Sequence, residues 1–280
     1  MSDVKRIRIG QWTTYIFISL LAVFWAIPVI LVVMNASKSL ADFSAGNIWA
    51  FPKTFQLGLN MMDALRMGSL GNGLMNSLSY GVLGSGIAIF LAAMAAFGIV
   101  ILRLKGGFYW FLLIYSGTIF PFQMYLVPLF KGYQKLGLYD TFGGMLLFYI
   151  AITIPFCVFL LRNYMTTLPY EIVEAAQLDG FHSFGIFTRI IGPLLLPPIS
   201  VLFLFQFTWI WNDLVFGMTL SRSETVRPVM TGLATMQGIY FRSGVTTLLA
   251  GIVLTSLPTV LLFFVLQRNF IKGMLLSVKS

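Results

Sequence analysis

Apolar positions along this 280-residue chain gather in long blocks rather than in the short periods of amphipathic helices or strands. Six blocks are nearly free of charge, and they cover residues 12–34, 74–102, 108–130, 142–161, 194–216 and 246–266. About 20 consecutive apolar residues form a helix long enough to cross a bilayer. The pattern therefore predicts an all-α membrane protein with six transmembrane helices, organised as a single domain over residues 1–280.

The first block indicates a retained anchor, because an apolar run over residues 12–34 is too long for the core of a cleaved signal peptide. Six crossings place both termini and the polar segment 163–193 on the same side of the membrane. Lys and Arg are slightly denser on that side, which favours the cytoplasm by the positive-inside rule.

Small residues recur every three or four positions in the second block and predict that another helix approaches it closely. We interpret this stripe as packing inside the subunit. Prolines occur in five of the six blocks and predict kinked helices, whose freed backbone groups need buried neighbours or cavity water. The stripe consists of Ser77, Gly81, Ser85, Ala88, Ala92 and Ala96.

The polar segment 163–193 is predicted to form a helical elbow at one membrane surface. Pro169 suits a first helical position. Glu171 and Glu174 then fall in the first turns, where the helix dipole favours negative charge. Gly180 stands where a left-handed residue would end the helix. Ser183 is predicted to cap a second short helix that runs to residue 191.

The first helix of the elbow has features of a docking surface. Glu171 and Glu174 are three apart, so they share a face and repel each other unless a cationic partner lies opposite. Ala175 and Ala176 leave the helix thin, which permits close approach. A helix lying on anionic lipid headgroups is disfavoured, because this helix lacks Lys and Arg.

Composition excludes an ordinary soluble domain, since 58% of residues are hydrophobic, 10% are charged and the mean hydropathy is +0.89. The net charge of +9 is dispersed over the ends of the apolar blocks. We therefore expect a lipid bilayer as the surrounding partner and no nucleic acid. The single cysteine, Cys157, excludes an intrachain disulfide.

The sequence contains no phosphate-binding P-loop and no HExxH motif, and His182 is its only histidine. We interpret His182 as a solvated elbow residue and the chain as non-catalytic. Asp213 is the only charged residue inside the six blocks, and an intramembrane charge is a functional-site hypothesis by default. Two interpretations stay open for Asn212 and Asp213: anchoring at the outer interface, or contact with substrate in the pathway.

One spaced motif in the elbow carries a family resemblance. It reads Glu174-Ala-Ala, three residues, Gly180, nine residues, Ile190, one residue, then Gly192-Pro193. This resembles the EAA loop of ABC-importer permeases, the inner-membrane components of binding-protein-dependent transport. Gly192 stands where that family usually has Leu. The segments 168–173, 120–124, 136–141 and 211–213 narrow the resemblance to the carbohydrate branch, the MalG-like permeases.

The resemblance implies a type I ABC importer permease fold whose elbow is a coupling helix seated in a cytoplasmic ATPase. The coupling residues would be Glu171, Glu174, Ala175, Ala176, Asp179 and Gly180. The implied partners are a second permease subunit of a different chain, two copies of an ATP-binding subunit, an extracytoplasmic sugar-binding protein and the sugar itself. ATP and magnesium would reside in the partner ATPase, with no cofactor in this chain.

Two further implications concern location. The chain would lie in the cytoplasmic membrane of a bacterium or archaeon with both termini inside. The outer loop 217–245 would face the binding protein, with Arg222, Glu224 and Arg227 at its polar tip.

Two other classes compete with this prediction. An ion-coupled secondary transporter driven by protons would need titratable groups at mid-membrane, and the blocks offer none there. Sodium coupling through carbonyl oxygens at broken helices stays open. An intramembrane enzyme is disfavoured because no catalytic pair or metal-ligand cluster falls in any block.

Overall fold

The structure is a computed structural model that describes residues 2–67 and 69–277, with side chains described for 12–67, 69–236 and 244–267. Within these ranges the chain is helical and has no strand, which confirms the predicted all-α class. The chain forms two compact units, one from residues 1–68 and 235–255 and one from 69–234 and 256–280. The predicted cytoplasmic ends, residues 1 and 278–280, lie outside the described residues.

Thirteen helices follow in chain order through the part of the chain that the structure describes. They are α1 Ser2–Ala36, α2 Leu40–Ser44, α3 Leu57–Met67, α4 Leu70–Val100, α5 Gly107–Tyr115, α6 Leu126–Leu136, α7 Phe142–Met165, α8 Glu171–Leu178, α9 Ser183–Leu194, α10 Leu196–Trp211, α11 Val215–Leu220, α12 Val229–Ser243 and α13 Val245–Ser277. In α4 and α9, π-helical turns at Tyr80–Gly84 and Ile186–Ile191 interrupt the α-helical pattern.

Four apolar segments are long enough to cross a membrane by themselves: Trp12–Ala36, Leu70–Val100, Phe142–Met165 and Val245–Gln267. Two more candidates are bent pairs. Gly107–Thr118 and Phe122–Leu136 meet at 83°, and Ser183–Leu194 and Leu196–Trp211 meet at 74°. If each bent pair counts as one span, the described residues hold six spans, as the apolar blocks predict.

Proline chemistry explains both bends, and the kinks predicted for the apolar blocks 108–130 and 194–216 are confirmed. Pro121 takes φ −56° and ψ 125° between two short 3-10 segments, because its ring fixes φ and it has no N–H to continue a helix. Pro197 and Pro198 fit only the first turn of a helix, so α10 begins anew just after the bend. At its other end α10 stops at Trp211, five residues before the predicted boundary.

The second unit has its core where α4 packs against α7 and α10. The small-residue stripe of α4 is buried there, so the interpretation of packing inside the subunit is confirmed. Contact is close enough that a Cβ atom added at Gly81 would lie 2.7 Å from the ring of Phe207. Only glycine leaves room for that ring at this position.

The first unit contains a buried cluster of hydrogen-bonded polar side chains at the C-terminal end of α1. Lys38 is 1% exposed, and its Nζ donates to Asn35 Oδ1 at 2.9 Å and to the Asn47 carbonyl at 2.8 Å. Asn60 of α3 donates to the carbonyls of Ala36 and Lys38 at 2.7 and 2.9 Å. These bonds fold the segment after α1 back on itself and satisfy its buried polar groups.

The segment 217–245, which is predicted to be an outer loop, is mostly helical, and the prediction of a long loop there is wrong. Helices α11 and α12 occupy most of it, leaving a short connection at 221–228. In α12, Val229, Leu233 and Met236 are buried at spacings of four and three residues, the period of one helix face. This apolar period is visible in the sequence and predicts the helix.

Candidate functional site

The elbow ends its first helix with a full Schellman motif. The amide of Phe181 donates to the Ala176 carbonyl at 3.0 Å, and the amide of Gly180 donates to the Gln177 carbonyl at 3.0 Å. Gly180 takes φ +82°, a left-handed conformation that glycine adopts without steric cost. The predicted role of Gly180 as the helix stop is confirmed.

The helix starts differ from prediction at both parts of the elbow. α8 begins at Glu171 rather than at Pro169, with Tyr170 in the capping position. His182, not Ser183, occupies the cap of α9, and its side chain makes no capping bond. The reason is geometric: a capping residue typically has extended backbone, and His182 has it, with φ −79° and ψ 163°.

The two faces of α8 have opposite characters. Val173 and Ala176 are 1% and 6% exposed and pack into the core of the second unit. The coupling candidates Glu171, Glu174, Ala175, Asp179 and Gly180 are exposed. Ala176 therefore seats the helix on the subunit, while the other five candidates form a surface available to another molecule.

Aromatic and cationic side chains hold this surface in place. The guanidinium of Arg103 lies 3.8 Å from the ring centroid of Tyr170, the residue that precedes α8. Such cation–π contacts stabilise a pair by about 0.5–1 kcal/mol at exposed sites. The ring of Phe187 in α9 packs edge-on against Phe97 of α4 at a centroid distance of 5.2 Å. Both helices of the elbow are thus fixed to the body of the second unit.

Sequence reasoning missed the apolar part of the elbow surface. Leu178 is 89% exposed and Phe184 is 62% exposed, next to the charged candidates. Large apolar side chains this exposed beside polar ones are typical of an interaction surface. Their signal is present in the sequence, since Leu178 and Phe184 flank the Gly180 stop where no transmembrane helix runs.

A hollow of about 370 Å³ opens within the elbow, lined in part by Asp179, His182 and Arg189. His182 is exposed on its wall, which agrees with its interpretation as a solvated residue. Among the described residues, no group of three or more His, Cys, Asp or Glu side chains converges to hold a metal ion.

Asp213 lies in a buried hydrogen-bond cluster just beyond the end of α10. Its side chain is 9% exposed, and Oδ2 accepts from the Tyr149 hydroxyl at 2.8 Å and from the Gly217 amide at 2.9 Å. Oδ1 accepts from the Phe216 amide at 3.2 Å. Asp213 thereby caps α11 and ties it to α7. Asn212 beside it is exposed and donates to the Thr208 carbonyl at 2.9 Å.

The short connection 221–228 is fixed to the subunit through its backbone. Asn76 of α4 donates to the carbonyls of Thr225 and Arg227 at 3.0 and 3.1 Å. The Tyr80 hydroxyl donates to the Val226 carbonyl at 2.9 Å. These bonds leave the side chains of Arg222 and Glu224 exposed at the tip, while the guanidinium of Arg227 folds back onto the Arg222 carbonyl at 2.7 Å.

Asp140 holds the other side of this connection. Its Oδ1 accepts from the amides of Arg222 and Ser223 at 2.7 and 2.9 Å, and from the Ser223 hydroxyl at 3.0 Å. Partial burial raises the pKa of the Asp140 carboxyl, but these hydrogen bonds outweigh burial and the net pKa is lowered from its ordinary 3.8. The carboxylate form is thus the one that fits this connection.

We expect an Asp140→Asn variant to lose a pH-dependent part of the stability of the chain. Because the folded-state pKa lies below 3.8, the stabilisation by the carboxylate is fully present above pH 3.8 and is lost as pH falls through the folded-state value. Asparagine tolerates the left-handed φ of +56° at this position, so backbone strain stays constant. Thermal unfolding in detergent should show a difference in unfolding temperature between the unmodified protein and the variant, and this difference should narrow below pH 3.8. A difference independent of pH would contradict the assignment.

Comparisons with known proteins agree with this architecture. Residues 86–276 match the family model described as the binding-protein-dependent transport system inner membrane component. A probable ABC transporter permease, YurM of Bacillus subtilis (strain 168), is 32% identical over 95% of this chain and 87% of its own length. The alpha-glucoside transport system permease AglG of Rhizobium meliloti (strain 1021) is 33% identical over 82% of this chain and 62% of its own length.

A solved structure shares the fold. It belongs to a bacterial ABC transporter that imports the acidic polysaccharide alginate, and one of its chains superposes with a TM-score of 0.78. The superposition covers 94% of this chain and 97% of that one at 22% sequence identity. At this identity the likeness shows the fold alone.

The candidate apolar spans and the exposed elbow among the described residues define a multi-pass membrane protein. The family match over 86–276 and the YurM relationship make the assignment specific. This chain belongs to the family of binding-protein-dependent transport system inner membrane components, the permeases of ABC importers.

Proposed function

We propose that this permease forms half of the pathway of an ATP-driven carbohydrate importer and receives the energy of ATP hydrolysis through its elbow. The elbow carries the proposal. Glu171, Glu174 and Leu178 form an exposed surface with both charge and apolar area, set by the Gly180 stop. A rigid helix with this mixed surface is suited to fit a groove on another protein and to transmit its movement.

The proposed assembly contains this chain, a second permease of a different sequence, two copies of a cytoplasmic ATP-binding subunit and an extracytoplasmic binding protein. ATP and magnesium are assigned to the ATP-binding subunits, and this chain is assigned no catalytic step. Its own contribution is the pathway, the elbow and an outer surface for the binding protein.

Two similar proteins and the aromatic content of the chain support carbohydrate as the substrate class. AglG is named as a permease of alpha-glucoside transport, and the solved structure with the same fold belongs to a transporter involved in alginate import. Aromatic residues make up 16% of the chain, a supply of flat apolar faces of the kind that small-molecule sites use.

Uptake by the purified complex in proteoliposomes tests the proposal. We expect uptake of a radiolabelled oligosaccharide to require ATP, magnesium and the binding protein, and to stop when the catalytic residue of the ATP-binding subunit is replaced. Uptake that persists with this ATPase variant and follows an imposed proton or sodium gradient would contradict it and favour a secondary transporter.

We expect the elbow to lie on the cytoplasmic side. A cysteine introduced at His182 in a Cys157→Ala background should react with an impermeant thiol reagent only after the membrane is opened. A cysteine at Glu224 is the matched control, because that exposed residue should react from outside in intact cells. Labelling of position 182 from outside intact cells would show the topology to be inverted.

We expect the connection 221–228 to touch the binding protein during turnover. Its backbone is fixed by Asn76, Tyr80 and Asp140, so the tip presents Glu224 in a constant position. A photoreactive residue at position 224 should crosslink to the binding protein when ATP is present, whereas the same residue at exposed, apolar Val265 should not. No crosslink from any position across 220–240 would count against this surface.

A further inference from the structure

An aromatic cavity of about 380 Å³ lies in the second unit at the break between α5 and α6. Its α7 wall runs from Ile152 to Phe156, near the middle of that 24-residue membrane helix. The volume falls within the range of about 300–1,000 Å³ that is usual for small-molecule sites. Its aromatic lining consists of Phe120, Phe122, Tyr125, Phe156, Phe205 and Trp209.

The broken backbone at this depth indicates that the cavity is wet. The α-helical bonding of the third span is interrupted from Ser116 to Tyr125, where two 3-10 segments flank Pro121. Irregular backbone at membrane depth is tolerated only where it is buried in protein or lines a water-filled cavity. Gly117 and Thr118 of this break line the cavity directly.

The aromatic side chains of the cavity present free faces. Phe120 is 61% exposed and Phe156 is 41% exposed, and both line the cavity. Flat apolar rings of this kind contact the C–H faces of a ring-shaped ligand without demanding one orientation.

Polar groups reach the same cavity between the rings. Gln206 of α10 is 8% exposed and lines the wall, with its amide also bonded to the Cys157 thiol. An amide has two donors and one acceptor, so one thiol leaves it capacity for a ligand. Thr118 and Thr153 add hydroxyl groups. None of the described residues that line this cavity is Asp, Glu, Lys, Arg or His.

We propose that this cavity is a binding subsite for a neutral sugar within the membrane part of this subunit, a proposal that rests on the carbohydrate importer function. Rings of Phe156, Phe120 and Trp209 contact the sugar ring, and Gln206 and Thr118 bond its hydroxyl groups. A neutral lining favours uncharged sugars over uronic acids, because a carboxylate here would be desolvated with no cation opposite.

Thiol accessibility tests whether the cavity is wet. Cysteines are introduced at Thr118 and Phe156 in a Cys157→Ala background, with Phe264→Cys as the control in an apolar groove of α10 and α13. During turnover we expect a charged methanethiosulfonate reagent to modify positions 118 and 156 at least about tenfold faster than position 264. Equal, slow modification at all three positions shows that lipid or the second permease covers the cavity, and it overturns the proposal.

Transport tests the ligand. The complex is first given maltotriose, arabinotriose and an alginate trisaccharide, and the variants are then assayed with the sugar that it imports. Phe156→Leu and Gln206→Ala should each lower uptake about twofold to tenfold, the range for one lost aromatic or hydrogen-bond contact, with ATPase co-purification unchanged. Phe264→Leu makes the same change in the apolar groove, and Cys157→Ala removes only the thiol partner of Gln206. Both controls should transport normally.

The outcomes separate the two proposals. Import of a neutral sugar with normal uptake by Phe156→Leu and Gln206→Ala overturns the subsite and leaves the importer function intact. If the complex imports only the alginate trisaccharide, the proposed preference of the subsite for neutral sugars is overturned, and the importer function again stays intact. If the complex imports no carbohydrate with ATP, the importer function is wrong and the subsite falls with it.

Discussion

Replacing Glu174 with lysine should release the partner ATPase from the membrane complex. Glu174 is exposed on α8 beside Glu171, where a basic residue of the partner would pair with it. A charge-assisted contact of this kind contributes about 1.5–3 kcal/mol, which corresponds to roughly tenfold to a hundredfold in subunit association. Lysine reverses the attraction, so its effect should exceed that of Glu174→Gln.

Co-purification of the ATPase with the permease measures this effect. Asp63→Lys is the matched control, because it makes the same charge change on an exposed residue of α3, which belongs to the first unit, whereas the elbow belongs to the second. We expect the control to retain the ATPase. Normal retention by Glu174→Lys would remove the main support for the docking surface.

Replacing Gly180 with valine is expected to impair coupling more than ATPase binding. A Cβ atom added at Gly180 would meet nothing within 4 Å, so the cost of Gly180→Val comes only from its φ of +82°. A side chain in this left-handed region costs roughly 1–2 kcal/mol. The strain should change the orientation of α8. We therefore expect the ATPase still to co-purify in part while sugar uptake falls.

Gly180→Asn separates backbone strain from side-chain bulk, since asparagine tolerates the left-handed region better than other residues with a side chain. We expect its uptake to stay close to that of the unmodified complex. Equal loss of uptake in both variants would show that the bulk of the added side chain, and not a changed orientation of α8, is the cause.

Replacing Asp213 with alanine should lower the stability of the second unit by about 3 kcal/mol or more. The substitution leaves the Tyr149 hydroxyl and the amides of Phe216 and Gly217 without their acceptor. Each buried donor left unpaired costs about 1–3 kcal/mol. Tyr149 is fully buried, so water does not reach its hydroxyl without a local opening.

Thermal unfolding in detergent and the amount of protein in the membrane measure this loss. Asn212→Ala is the control, because Asn212 is exposed and bonds only within its own helix end. Tyr149→Phe should cost less than Asp213→Ala, since the carboxylate keeps both backbone amides. If Asp213→Ala unfolds at the same temperature as the unmodified protein, the cluster contributes no stability.

Asp213→Asn addresses the proposed role of Asp213 in the substrate pathway. Asparagine has nearly the same shape and keeps one oxygen acceptor, so more protein should reach the membrane than with alanine. Impaired uptake by this well-folded variant would support contact with sugar hydroxyl groups. Unchanged uptake would leave Asp213 as the anchor of α11.

The sequence by itself determines the features that depend on neighbouring residues. Apolar blocks of bilayer length predict the number of candidate spans, and the Gly180 stop follows from the left-handed φ that glycine accepts. The prediction of α8 missed its start by two residues, since Pro169 is expected as the first helical residue and the helix begins at Glu171, with Tyr170 as its cap. Such errors in helix boundaries are small because the backbone sterics that start and end a helix act over only a few residues.

Only the tertiary structure decides which distant residues meet. Asp213 is charged within an apolar block, and nothing local shows that the hydroxyl of Tyr149, 64 positions earlier, donates to it. The connection 221–228 is held in the same way by Asp140, across 82 and 83 positions. The aromatic cavity arises where a proline break in one span faces two other helices. The length of the apolar blocks indicates which segments enter the membrane, but side-chain packing among the helices sets these partners.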